Sequence, residues 1–338
     1  MKDESRADEN CFHFILHPSS FILMKLIFMG TPESAVPTLR RCVEDGHEVV
    51  AVWTQPDRPA GRGHKLKASP VKEYALSLGL NVQQPSKIKT EETLALFTSQ
   101  PFDAAIVVAY GRILPPTFLR APAHGCVNVH FSLLPKYRGA APVNWALVRG
   151  ERETGITTML MDEGLDTGPV LLQHSTTINE GETAPQLLER LSHAGAELLS
   201  DTLARFRELE PRAQRDEDAT LAPILRREDG LIDWTLDARE IERRVRGFQP
   251  WPNAYTSYNG RRLVVWRAEV PEAEDESATG RTQVRPGVIM EARGDALTVS
   301  CGGSTALRLL EVQLEGKQRT SARDFINGTR AHAGEALG

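Results

Sequence analysis

The chain has 338 residues, with 40 Lys and Arg against 45 Asp and Glu and a formal net charge of −5. That length is more than one hydrophobic core usually serves and predicts two domains. The mild negative balance excludes a globally basic nucleic-acid binder, so any grip on RNA must be local. Four scattered cysteines (Cys11, Cys42, Cys126, Cys301) form neither a CxxC nor a Cys/His cluster. They argue against a zinc site or a disulfide framework and fit a reducing cytoplasm. No apolar run approaches the roughly 20 residues that span a bilayer.

In chain order, residues 1–23 begin acidic and continue through an apolar stretch broken by histidines, serines and Pro18. A secretory signal wants the opposite: a basic start and a clean apolar core. Residues 25–30 read as a short buried strand ending in a turn glycine, residues 35–45 as a helix and residues 48–53 as a second strand. The segments 103–109 and 126–130 have the same apolar texture. Strands spaced by helices predict an α/β, Rossmann-like doubly wound parallel sheet. The first loop, Gly30-Thr31-Pro32-Glu33, is not GxGxxG, so a dinucleotide phosphate site has no support.

Between Pro56 and Lys72 lie five Lys or Arg and one Asp, among glycines and prolines that discourage regular structure. A flexible basic loop of this kind suits a phosphate backbone. A long amphipathic helix is expected over 187–206. The stretch 207–218 is dense in charge, contains Pro211 and lacks an apolar face, so it reads as a linker. Beyond residue 232 the strands become short and closely spaced (263–266, 287–290, 296–299, 307–310), which predicts a small barrel. From Leu225 onward 17 Lys or Arg balance 17 Asp or Glu, so charge does not advertise a binding role there.

Asn128 and His130 sit at i and i+2 and leave the same face of a strand. With Asp166, from the Leu165-Asp166-Thr167-Gly168 segment, they would form an amide donor, an imidazole and a carboxylate, a set suited to acyl transfer. The competing reading is structural: polar residues satisfied within a buried strand, and Asp166 capping the turn before Thr167-Gly168.

The string NVHFSLLPKYRGAAPVNWAL that begins at Asn128, with LDTG downstream and MGTPESAVPTL, TQPDRPAGRGHKLKASPVK and VVAYGRILP upstream, resembles the methionyl-tRNA formyltransferase family. The resemblance runs in order from about Met24 to near the C-terminus. Residues 1–23 are therefore read as an upstream extension, disordered or a mis-assigned start. The resemblance implies a catalytic domain over 24–206, a linker over 207–224, and an OB-like β-barrel domain over 225–338 that helps hold tRNA. It implies transfer of a formyl group from 10-formyltetrahydrofolate, a co-substrate, to the α-amine of initiator methionyl-tRNA, without a metal. The expected enzyme is a cytoplasmic monomer that meets no membrane.

On the same resemblance, Asn128 donates to the formyl oxygen. His130, paired with Asp166, donates to that oxyanion or relays the amine proton, while Asp166 orients His130 and accepts a proton through water. The residues alone do not divide this proton work. Ser132, Leu133, Leu134 and Pro135 resemble the folate-contacting loop, with Arg112, Ile113, Leu114 and Asp162 as further walls. Arg58, Arg62, Lys65 and Lys67 would grip the tRNA acceptor arm. Arg138 reads either as an anion ligand or as a solvated surface arginine. Ser34 and Phe131 depart from the family pattern and are expected to reshape the entrance. Glycinamide ribonucleotide transformylase shares the triad but ends after one domain. A sugar-amine formyltransferase also has a small second domain, but the basic insert and the GFQPWPNAY stretch favour the tRNA enzyme. A non-catalytic RNA-binding protein would use the basic loop and the second domain and leave the triad without purpose.

Overall fold

The computed structural model describes residues 23–60, 65–271 and 284–338. The expected extension (apart from Leu23), Arg62 and the side chain of Lys65 lie outside the described residues. Apolar runs buried on both faces, as parallel sheets require, assemble a seven-stranded sheet. From edge to edge it runs Val82–Gln83, Glu48–Trp53, Lys25–Gly30, Ala104–Val108, Cys126–His130, Glu153–Leu160 and Val170–Thr177. The first five are mutually parallel and the last two antiparallel. The expected parallel sheet is present, extended by a pair of strands that the sequence pattern does not announce. Threonines and polar residues fill positions where Val or Ile would have signalled a strand, and their β-branched or half-buried character shows only in the sheet.

Alternation along each strand sorts the layers. Leu26, Phe28, Ile106, Val127, Val129 and Phe131 face one core, which the helices Val36–Glu44 and Ala184–Ala204 complete. Ile27, Met29, Trp53, Val107 and Cys126 face the other, against Phe97 and Phe118. The long helix approaches closely at Gly195, where a Cβ would stand 3.0 Å from Val129 Cγ1 and 3.4 Å from Phe131 Cε1. Phe131 is thus a core residue on the face opposite Asn128 and His130. Ser34 is likewise buried, in the 3-10 turn Glu33–Ala35. The expected reshaping of the entrance is corrected: both departures point inward.

The second region is an antiparallel sheet in the order Ala254–Tyr258, Arg261–Glu269, Ala306–Leu314, Ala296–Ser300, Ile289–Arg293. Its first hairpin turns at Asn259 and Gly260, both at positive φ, the conformation that matches the twist of paired strands. One face buries Leu263, Val265, Leu307, Leu309 and Val312 against Ile241, Val245 and Phe325. The two regions meet where helix Pro142–Val148 packs on helix Ala238–Gly247. Asn144 Nδ2 donates to the Gly247 carbonyl at 2.7 Å, and Trp145 meets Phe248 edge to face at 5.8 Å.

The segment 207–224 runs back across the first region. Arg212 bridges Val170, and Leu221–Ala222 pairs in parallel with Arg138–Gly139. Among the described residues no helix is long and apolar enough to cross a membrane.

Candidate active site

Asn128 and His130 end their strand at the carboxyl edge of the parallel sheet, where ligands gather in open α/β folds. Both are buried, at 8% and 6% exposure. Asp166 reaches them from the loop after Glu153–Leu160. Its Oδ1 accepts from Asn128 Nδ2 at 3.4 Å, its Oδ2 accepts from the Gly139 amide at 2.8 Å, and Oδ2 lies 3.7 Å from His130 Nδ1. The three residues that the sequence singled out are therefore together.

His130 Nε2 lies 3.0 Å from the Tyr137 carbonyl. A carbonyl only accepts, so Nε2 carries a proton and Nδ1 is the nitrogen that faces the carboxylate.

A turn-capping role for Asp166 falls to a neighbour instead. Asp162 Oδ1 accepts from the Gly164 amide at 3.0 Å and from Thr167 Oγ1 at 2.7 Å, so Asp162 organises the turn while the Asp166 carboxylate faces Asn128 and Gly139. Around the site Ala109, Tyr137 and Asp166 all hold positive φ (46°, 63° and 53°). Each such residue costs about 1–3 kcal/mol, and strain of this kind collects where function demands a fixed geometry. Only glycine fits at position 139, where φ is +124° and a Cβ would stand 2.5 Å from the Ala222 carbonyl.

The residues expected to contact folate divide into supports and surfaces. Ser132 is fully buried; its Oγ donates to the Lys136 carbonyl at 2.6 Å, and its own carbonyl accepts from Thr157 Oγ1 at 2.7 Å. Leu134 gives its amide to Thr157 Oγ1 at 3.1 Å, and its carbonyl accepts from Gln173 Nε2 at 2.8 Å. The Ser132 carbonyl and both backbone groups of Leu134 are thus bonded within the fold, because a buried loop must satisfy its own polar atoms. Leu133 and Pro135 are half-buried and keep accessible surface. Leu114 is buried below, and Arg112 Nη1 donates to the Ser86 carbonyl at 2.9 Å. Ile113 and Leu165 are apolar yet 74% and 59% exposed, one following strand Ala104–Val108 and the other preceding Asp166.

The described parts of the basic stretch are more regular than its glycines and prolines predict. Arg58–Ala60 and Lys65–Lys67 pair as an antiparallel hairpin, with Arg58 opposite Lys67. Arg58 Nη2 donates to Gln55 Oε1 at 2.6 Å, while Lys67 is exposed. Lys72 is neutralised by Asp57 at 2.6 Å. Hydrogen bonds from Gln84 and Lys72 hold the Asp57 carboxyl below the usual range.

Arg138 is not a solvated surface arginine, and the anion it meets is the Asp216 carboxylate. It is 7% exposed and bonded to Gln214 and Asp216. Sequence reasoning missed Thr157, Gln173, Gln214 and the backbone atoms of Tyr137 and Gly139. Main-chain donors and acceptors carry no residue signature, and the side chains lie in no motif. Burial pushes the Cys126 thiol, on the strand that carries Asn128 and His130, up to about 12, which makes it a poor nucleophile. Among the described residues no group of three or more His, Cys, Asp or Glu is placed to hold a metal ion.

The family model "Formyl transferase" matches residues 24–203 and "Formyl transferase, C-terminal domain" matches residues 224–330. The methionyl-tRNA formyltransferase of Caldanaerobacter subterraneus subsp. tengcongensis is 48% identical over 93% of this chain and 100% of its own length. That of Koribacter versatilis is 49% identical over 93% of this chain and 99% of its own. The fold is also similar to that of an N-formyltransferase from Helicobacter canadensis, solved with folinic acid and dTDP-3-aminofucose (TM-score 0.63, 19% identity, 85% of this chain and 99% of that one). On matches that span both regions and relatives aligned over their full length, the chain belongs to the methionyl-tRNA formyltransferases of the formyl transferase family.

Proposed function

We infer that this chain transfers the formyl group of 10-formyltetrahydrofolate to the α-amine of methionine on initiator tRNA, by direct attack of the amine. The observation that carries the residue assignment is the convergence of Asn128, His130 and Asp166 at the carboxyl edge of the sheet, with turn-making delegated to Asp162. An aminoacyl α-amine has a pKa of about 8 or below, so a neutral fraction is available near pH 7. Asn128 Nδ2, which has a second N–H to offer, donates to the formyl oxygen as charge builds there. The proton shed by the attacking amine passes to Asp166 Oδ2 or to His130 Nδ1. As the bond between the formyl carbon and the folate nitrogen breaks, the same pair returns a proton to that nitrogen. His130 acts through Nδ1 because the Tyr137 carbonyl occupies Nε2.

The exposed Ile113 and Leu165, with Leu133 and Pro135, offer flat apolar surface for the donor, as ligand clefts usually do. The hairpin cations Arg58 and Lys67, with Arg62 and Lys65, supply the local positive charge that an acceptor arm needs. The active unit in this reading is a monomer working in the cytoplasm, which sedimentation of the purified enzyme checks.

The substrate test sets charged initiator tRNA beside a sugar amine as acceptor, with the same donor. Formylation of the tRNA alone is expected. Formylation of the sugar amine without the tRNA would overturn the reading and favour the sugar-amine enzymes that share the fold.

A further inference from the structure

The segment that joins the two regions also touches both loops that carry the reacting groups. Gln214 Nε2 donates to the Asp166 carbonyl at 2.9 Å and to the Gly168 carbonyl at 2.7 Å, and lies 3.9 Å from Met159 Sδ. Its Oε1 accepts from Arg138 Nε at 3.0 Å, and Arg138 Nη1 donates to Asp216 at 2.9 Å. Two acceptors on one side and a guanidinium on the other leave the amide a single sensible orientation. Asp166 sits at φ +53°, a backbone state that a non-glycine residue keeps only when its surroundings hold it there. The two carbonyl bonds from Gln214 hold the backbone at that residue and two positions beyond it.

The same segment fixes the opposing loop. Thr220 Oγ1 accepts from the Tyr137 amide at 2.9 Å, and the Thr220 carbonyl accepts from the Arg138 amide at 2.9 Å. Ala222 accepts from the Ala141 amide at 3.3 Å. These bonds set the Tyr137 carbonyl that meets His130 and the Gly139 amide that meets Asp166.

We propose that Gln214 is a positioning residue for Asp166: its amide holds the 166–168 backbone so that the carboxylate faces His130 and Asn128. The proposal rests on the reading that Asp166 and His130 handle the amine proton. It makes the placement of the carboxylate depend on the chain that leads into the C-terminal region.

The test is the single-turnover formylation rate of charged initiator tRNA at saturating 10-formyltetrahydrofolate. It is measured for Gln214→Met and Gln214→Glu, each alone and combined with Asp166→Asn. Methionine keeps the length and loses both donors. Glutamate keeps the acceptor for Arg138, whose Nη2 is buried without a partner among the described residues, but turns an oxygen toward two carbonyls. Both variants are expected to slow the step roughly 10- to 100-fold, the cost of misplacing a reacting group by about 1 Å. KM for tRNA and donor should hardly change. In the Asp166→Asn background neither should cost much more, because a residue acting through Asp166 has nothing left to position.

A merely structural glutamine would cost the same in both backgrounds, and that result overturns the proposal. Should Gln214→Met fail to fold by circular dichroism, Gln214→Glu carries the test alone. An inactive Asp166→Asn beside a fully active Gln214→Glu sinks the proposal by itself. An Asp166→Asn enzyme at the wild-type rate sinks the reading of the site, and the proposal with it.

Discussion

At the scale of single residues, the proposed chemistry rests on atoms held by their neighbours. Asn128→Ala, His130→Ala and Asp166→Ala are each expected to cut the single-turnover rate by about 100- to 1,000-fold, the range seen when one positioned transition-state donor is lost. Circular dichroism should be unchanged. A folded His130→Ala enzyme within a few-fold of wild type would retire the assignment. Asp162 separates a turn-maker from a ligand contact. Asp162→Ala should slow turnover by loosening the loop, whereas Asp162→Asn, whose amide oxygen accepts the same bonds from Gly164 and Thr167, should restore it. If the charge of Asp162 met the donor instead, Asp162→Asn would raise the donor's KM as much as Asp162→Ala. Asn128 and His130 were legible because i and i+2 on a strand share a face. The tautomer of His130 was not, because the carbonyl that sets it belongs to Tyr137, a residue whose side chain points elsewhere, to Glu151 at 2.7 Å.

At the scale of elements, Arg58 and Lys67 stand opposite each other in the pair Arg58–Ala60 and Lys65–Lys67, and both are exposed. If Arg58, Arg62, Lys65 and Lys67 neutralise acceptor-arm phosphates, replacing all four by Ala should flatten the log–log salt dependence of tRNA binding by roughly two to three. Affinity for the folate donor should stay nearly constant. An unchanged slope would mean that the hairpin is merely solvated. Lys72 belongs to the base of this element, tied to Asp57 and Gln84, so Lys72→Ala should leave the slope alone. A tight backbone contact makes a second element-level case. Gly139→Ala must push its strand pair away from Ala222, and it should destabilise the fold by about 1–3 kcal/mol. A melting temperature equal to wild type would show that the contact gives way freely.

At the scale of the whole molecule, the two regions are pinned where Arg246 Nη1 donates to the Glu182 carbonyl at 2.8 Å, beside the pair that Arg190 makes with the Glu182 carboxylate at 2.9 Å. Burial opposes the Glu182 charge. Hydrogen bonds from Arg190 and the Asn179 amide, with the positive charge of Arg190 and Arg246, outweigh it and hold the carboxyl below the usual range. A depressed folded value means that the unfolded chain binds the proton more readily. The stabilisation is therefore complete above the ordinary glutamate value of about 4.3 and is lost as pH falls through the folded value. Urea midpoints measured from neutral pH down to about 3 should fall less steeply for Glu182→Gln than for wild type. Parallel curves would show that Glu182 contributes nothing to the acid slope.

The apolar strand runs, the long helix expected over 187–206 and found at Ala184–Ala204, and the strand-borne Asn128 and His130 were written in the sequence, because burial and periodicity act over a few neighbouring residues. So was the family, carried by several ordered strings from MGTPES to LDTG. Tertiary structure alone decided the rest. It turned Phe131 into the core, committed the polar groups of Ser132 and Leu134 to Thr157 and Gln173, and buried Arg138. It also laid a charge-dense segment with no apolar pattern across the loops that carry Tyr137 and Asp166, so that Gln214 meets Asp166. The reason is physical: these outcomes hang on backbone carbonyls and amides brought together from distant parts of the chain, and such groups are the same in every residue.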